Sequence, residues 1–199
     1  MIGEDCDFSA ILEQFPEVIG KAQPKPITDS RVFHYMQTTG PPIAQKNRRL
    51  LPEKLKVVKE EFSRLCGLGI VRPLKSPWAS PIHLLPKQDS WRICGDYRRV
   101  NSVTKSDKYP VKLLHDFPNF LHGKTVFSTL GLKQAYYQIP VAPEHVEKTA
   151  VITPHGLFEY LFMNPGLKGA SQTFQRYGDR AVAGLDFVYN YLDDFLIAS

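Results

Sequence analysis

Two adjacent carboxylates, Asp193 and Asp194, follow Tyr191-Leu192 late in the sequence. Aromatic and β-branched residues lead in (Phe187, Val188, Tyr189, Tyr191), and an apolar run follows (Phe195, Leu196, Ile197). Such residues fit a pleated, half-buried surface, so both flanks predict strands and the acids fall at a hairpin tip. Two like charges between buried strands repel unless a counter-ion neutralises them. A hard divalent cation does so, and Mg²⁺ is typically held by one or two carboxylates together with substrate phosphates. Paired carboxylates therefore suit two-metal phosphoryl transfer. The competing reading is a plain turn, where aspartate is common.

The elements that would position these acids can be read upstream. Pro16, Pro24, Pro26, Pro41 and Pro42 break any periodicity, and with Gly20 and Gly40 they make residues 1–50 look like an arm, with a short helix around Ala10–Phe15. Pro52 suits a helix first turn, and Leu55, Val58, Phe62 and Leu65 then form one apolar face, ended by Gly67 and Gly69. A strand over Trp78 to Leu85 turns through Lys87-Gln88-Asp89-Ser90 into a second strand beginning at Trp91. Thr125–Leu130 predicts a further strand, and Thr149–Thr153 with Leu157–Leu161 a hairpin around His155-Gly156. A helix is expected from Ser171 to Ala183, with Phe174 inside and Gly184 at its end. The mixture predicts an α+β fold with a mainly antiparallel sheet.

Charge is uneven. Net charge is +5, yet residues 1–20 carry five acids and no Lys or Arg, which leaves +10 for the remainder. Residues 70–112 hold nine bases against three acids, which suggests a polyanionic partner beside the carboxylates, although a solvated basic surface has the same composition. No run of about 18 apolar residues predicts a membrane span, and the acidic N-terminus does not read as a signal peptide. Cys6, Cys66 and Cys94 are odd in number and widely spaced, which predicts reduced thiols inside a cell, Cys66 on a helix and Cys94 on a strand.

Five blocks stand in a recognisable order. They are Leu68–Pro73 with Ser76–Pro81; Trp91–Asn101; Val126–Tyr136; Gly166-Leu167-Lys168 with Gln172–Gln175; and Tyr191–Asp194. Together they resemble the reverse transcriptases of gypsy-type long-terminal-repeat retrotransposons, over about Thr38 to Ser199. The resemblance implies a right-hand polymerase fold with fingers and a partial palm over residues 38–199, the thumb absent, and residues 1–37 as the connector that follows a protease. It implies a two-ion site for Mg²⁺, or Mn²⁺, built on Asp193, Asp194, the backbone of Leu132 and a third carboxylate. Gly131 stands where that third acid belongs.

The resemblance also assigns other residues. Lys87 and Arg92 match fingertip contacts to the triphosphate of an incoming dNTP, and the turn between them is shorter than usual. Tyr136 matches the aromatic residue under the incoming sugar; the competing reading is a core tyrosine. Tyr137 stands where histidine is usual. Pro165 replaces an aromatic beside the nucleotide, and Gly166 retains the glycine that lets backbone approach ligand. Asp96, Arg98 and Arg99 match positions near the template, or form a local ion-pair network. Gly178 lies inside the expected long helix, where glycine is about 1 kcal/mol less favourable than alanine. The implied function is RNA-directed DNA polymerisation on an RNA or DNA template–primer, impaired in this copy by Gly131. The expected partners are the thumb, connection and RNase H parts of a Pol polyprotein, in the cytoplasm (in virus-like particles) or the nucleus. The alternatives are a non-catalytic nucleic-acid-binding module and a degenerate retroelement relic.

Overall fold

The spacing of Leu55, Val58, Phe62 and Leu65 does produce a helix, α1 (Pro52–Gly67), with Val58, Phe62 and Leu65 on its buried side. In this computed structural model, which describes residues 11, 13–16, 32–87, 90–113, 115 and 117–199, α1 packs on a sheet through Phe62, whose ring meets those of Phe158 and Tyr160. The strands of that sheet are β1 (Val71–Pro73), β2 (Ser80–Lys87), β3 (Ser90–Gly95), β5 (Val151–Thr153) and β6 (Gly156–Tyr160), in the order β1-β6-β5-β2-β3. The short helix α2 (Arg98–Val103) follows β3.

A second sheet carries the acid pair. Its strands are β4 (Phe127–Gly131), β7 (Val188–Tyr191) and β8 (Asp194–Ala198), ordered β4-β8-β7. Helix α4 (Ala170–Ala181) packs against β7, and α3 (Phe117–Leu121) sends Phe117 and Phe120 onto Tyr189. The fold is α+β, as expected, but the strands form two sheets rather than one. One pairing, β2 with β5, is parallel; the other five are antiparallel. Pairing across 70 residues of chain depends on tertiary packing, which local periodicity does not encode. Strand β4 is an exposed edge, with Phe127 and Leu130 open to solvent.

Element bounds shift by a residue or two from the sequence expectation: β4 ends at Gly131 and α4 at Ala181. Most of the helix expected around Ala10–Phe15, and Gln88-Asp89 at the fingertip turn, lie outside the described residues. Residues 32–36 belong to the segment expected as an arm, yet they are packed. Val32, His34 and Met36 are buried, and His34 N–H donates to the Pro140 carbonyl at 2.9 Å. The alternation of buried and exposed residues here is only a few residues long, too short to stand out among the surrounding prolines.

Gly178 has a packing role that its helix propensity hides. A Cβ at this position would lie 2.5 Å from Asn190 Nδ2 on β7, so glycine lets α4 sit directly on the strand. Replacing Gly178 by alanine ordinarily gains about 1 kcal/mol in a helix. Here overpacking costs about 1–3 kcal/mol, so Gly178→Ala should lower the thermal midpoint, whereas a rise would show that β7 can shift away.

His34 provides a second test. Its Nδ1 pairs with Thr173 Oγ1 at 2.9 Å and its Nε2 makes no hydrogen bond. Burial lowers its pKa to about 4, helped by His145 and Arg176 and opposed by Asp107. The unfolded state therefore binds the extra proton between the ordinary value of 6.5 and about 4. This contribution to stability is complete above the unfolded value and is lost as pH falls through that window. Thermal melts from pH 7 to 4 should fall more steeply for the parent than for His34→Phe; parallel curves would remove His34 as the cause.

Candidate active site

The β7–β8 hairpin turns through Leu192 and Asp193, with Tyr191 paired to Asp194 across the ladder. Leu192 has φ +53°, a conformation that branched residues avoid and that the surrounding structure must enforce. The enforcing contact is Gln175 on α4. Its Oε1 accepts the Leu192 N–H at 3.2 Å, while its Nε2 donates to the Asn190 carbonyl at 3.2 Å and to Asp179 Oδ1 at 3.1 Å. Lys112 closes the network, donating to Asn190 Oδ1 at 2.6 Å and lying 3.3 Å from Asp179. Burial raises the Asp179 carboxyl, but hydrogen bonds from Tyr109, Gln175 and Lys112 outweigh it and hold the group below the usual carboxylate range.

Asp193 projects into a cleft of about 520 Å³ that is also lined by Lys87, Arg92, Leu132, Tyr136 and Pro165. These residues come from the β2–β3 fingertip, the turn after β4, the loop before α4 and the acid hairpin. Leu132 N–H donates to the Asp193 carbonyl at 3.0 Å, which ties the backbone after β4 to the acid turn. Tyr136 serves both readings given for it. Its ring packs 5.6 Å from that of Phe174 in the core, and its hydroxyl faces the cleft. Burial raises its pKa, as does the charge of Asp193, while a Ser171 hydrogen bond and Arg92 pull it back. Tyr137 stacks on Tyr160, and burial raises its pKa to about 12.

Gly131 pairs with Asp194 in the ladder. A Cβ at Gly131 would meet only Asp194 Oδ1, at 3.6 Å, which is ordinary contact. The position opposite Asp194 is thus open, and no side chain fills it. Hard carboxylate oxygens suit a hard divalent cation. Asp193 and Asp194 fit one such ion; among the described residues no group of three or more His, Cys, Asp or Glu gathers to hold a metal.

Gly166 lies on the loop beside Pro165 with φ +93°, and Asn101 Nδ2 donates to its carbonyl at 2.8 Å. Asp96, Arg98 and Arg99 are not in the cleft lining. Asp96 pairs with Arg48 and with Arg98, whose hydrogen bonds hold its carboxyl well below the usual range despite burial. Arg98 and Arg99 are exposed on α2. Sequence reasoning gave no role to Gln175, Asn190 or Lys112. Gln175 sits in a quoted motif, but only its contact with Leu192 distinguishes it from a surface glutamine. Gln134 lines the cleft with φ +52°, a second strained backbone position that composition does not reveal.

Gln175→Ala would leave the Leu192 N–H and the Asn190 carbonyl without their partner, and each buried unpaired group costs about 1–3 kcal/mol. The variant should melt lower, and its Leu192 amide should exchange faster with solvent. Unchanged exchange at Leu192 would show that the turn holds without α4.

Residues 85–199 match the family described as Reverse transcriptase (RNA-dependent DNA polymerase). The chain is 29% identical to the Retrovirus-related Pol polyprotein from transposon 297 of Drosophila melanogaster, over 98% of this chain and 19% of that protein. It is 30% identical to the Transposon Tf2-3 polyprotein of Schizosaccharomyces pombe, over 100% of this chain and 15% of that protein. The chain thus spans less than a fifth of the length of the curated relatives it matches. Among solved structures, the foamy viral protease-reverse transcriptase in complex with RNA/DNA hybrid superposes with a TM-score of 0.80, at 16% identity, over 96% of this chain and 27% of that one. The likeness identifies the fingers-and-palm portion of a right-hand polymerase fold.

Proposed function

The chain belongs to the reverse transcriptase family, and on that premise we propose that it is part of an RNA-directed DNA polymerase whose own catalytic centre is impaired by Gly131. One observation carries this reading: the cleft gathers Asp193, Lys87, Arg92 and Tyr136, while the ladder position opposite Asp194 has no side chain. The family reaction adds a deoxynucleotide to a primer 3′-end. Arg92, with its planar fork of donors, would hold triphosphate oxygens, with Lys87 as a second positive charge. Tyr136 would support the sugar with the exposed part of its ring, anchored by Phe174. Pro165 and Gly166 would shape the wall beside the base, and Arg98 and Arg99 would lie toward the template.

Asp193 and Asp194, with the Leu132 carbonyl nearby, would hold divalent cation, most simply Mg²⁺ or Mn²⁺. Such a cation supplies charge neutralisation at the transferring phosphate and activation of the primer hydroxyl. The family uses divalent cations, and catalysis of this type is almost entirely positioning and electrostatics. Two carboxylates offer less charge than three, and a glycine leaves nothing to set the spacing. Template–primer, dNTPs and the other parts of a Pol polyprotein are the partners that go with this reading, and its setting is intracellular.

The test compares the parent with Gly131→Asp, each fused to the remainder of a related polymerase. The parent fusion should extend a primer undetectably with Mg²⁺ or Mn²⁺, and Gly131→Asp should extend it. Equal extension by both would overturn the assignment of impairment. A second measurement needs no turnover. The new carboxylate would face Asp194 across about 3.6 Å at its Cβ, so Gly131→Asp should melt below the parent without divalent ions and recover when Mg²⁺ is added. An identical response of both proteins to Mg²⁺ would count against a cation at this position.

A further inference from the structure

The loop whose Asn164 and Pro165 line the cleft continues into Lys168 and Gly169, which line a second concavity of about 450 Å³. The two share no lining residue. Around the second stand Lys105, Lys108, Lys168, Arg176 and Arg180, against one acid, Asp107. Asp107 is already committed: it accepts two hydrogen bonds from Arg176, at 2.9 and 2.8 Å. Lys168 donates to the carbonyls of Thr104 at 2.7 Å and Asn101 at 3.3 Å, neutral acceptors that leave its charge uncompensated. Lys105 and Lys108 are exposed at the rim. A concavity with this excess of positive charge focuses an anion-attracting field.

Charge is half of the observation. The extended segment 32–37 alternates, with Val32, His34 and Met36 turned into the core. Phe33, Tyr35 and Gln37 are therefore directed to the concavity, which they line. Tyr35 is 56% exposed, and its ring meets His145 edge-on at 6.0 Å. The buried neighbours hold this aromatic face in place, and packing does not explain its exposure. Basic side chains beside a fixed, exposed aromatic ring are the recurring composition of single-strand nucleic-acid sites, where phosphates meet cations and bases stack on rings.

We infer that this concavity is a second nucleic-acid site, separate from the cleft, which takes the backbone of a single strand beside Lys105 and Lys108 and a base on Tyr35. The inference rests on the reading of the chain as a nucleic-acid enzyme, but not on the state of the Asp193–Asp194 centre. It makes the loop 164–169 a ridge with a nucleic-acid surface on either side.

The experiment measures fluorescence anisotropy of a labelled twelve-residue oligo-dT with the parent, Lys105→Glu/Lys108→Glu, Tyr35→Ala, Tyr35→Trp and the cleft variant Lys87→Glu/Arg92→Glu. All the altered side chains are exposed, and circular dichroism with thermal melts checks folding. The Lys105/Lys108 variant should lose affinity, with the salt slope reduced by about 0.7 for each phosphate contact removed. Tyr35→Ala should weaken binding about tenfold, with Tyr35→Trp close to the parent. An abasic strand of equal length should bind the parent more weakly than oligo-dT and bind Tyr35→Ala equally well. The cleft variant should keep this component of binding. Loss of all binding in the cleft variant, with none in the Lys105/Lys108 variant, would overturn the second site and leave the polymerase reading intact. Absence of any binding by the parent at low salt would also overturn it. Displacement by polyglutamate at equal charge, with no effect of Tyr35→Ala, would reduce the concavity to an acidic-polymer surface and reject the nucleic-acid assignment.

Discussion

Contact between helix α4 and strand β7 governs the geometry of the acid pair. A side chain at Gly178 would collide with Asn190, so glycine allows the helix to approach closely enough for Gln175 to reach the turn. Gln175 then holds the Leu192 N–H, and Leu192 keeps a left-handed backbone that an isolated hairpin would not favour in a leucine. The network is buried and almost fully paired; only Asn190 Nδ2 is without a partner. In a low-dielectric interior such a network favours one arrangement strongly, because every alternative leaves polar groups unmet. The direction of Asp193 into the cleft follows from this lock. The Asp-Asp dipeptide alone does not specify it.

Charge is arranged in three distinct ways in this molecule. In the cleft, exposed cations on the fingertip strands face Asp193 across open space, an arrangement suited to a ligand that carries negative charge and brings a cation. At Asp96 two guanidiniums surround one carboxylate, which neutralises it and ties residues 48 and 96–98 together. Around the concavity beside α4, positive charge is left in excess next to an exposed tyrosine. The nine bases of residues 70–112 therefore do not form one face. They divide between a ligand-facing set, a structural set and the rim of a separate surface.

Much of the fold could be read from local pattern. Helix α1 is set by one apolar stripe after a proline, and the β5–β6 and β7–β8 hairpins by short β-branched and aromatic runs around turn residues. Cys66 and Cys94 fall on a helix and a strand, as their surroundings predict. The core role of residues 32–36 was not legible, because its alternation is brief and lies among prolines. The division into two sheets was equally hidden, since each strand satisfies its own pattern whichever neighbour it pairs with.

By itself the sequence determined the chemistry available: two acids at a turn, basic residues ahead of them, and a glycine at the end of the strand Thr125–Leu130. It did so because side-chain type and short-range periodicity are local properties, fixed by the residues and their immediate neighbours. Tertiary structure alone decided that Gly131 faces Asp194, that Gly178 admits Asn190, that Gln175 controls Leu192, and that Tyr35 joins Lys105 and Lys108 at one concavity. Each of these relations joins residues 12 to 73 positions apart, except Gly178–Asn190 and Gln175–Leu192, which cross between a helix and a hairpin. Such pairings are set by which surfaces can be buried together with their polar groups satisfied, and that condition exists only once the whole chain has packed.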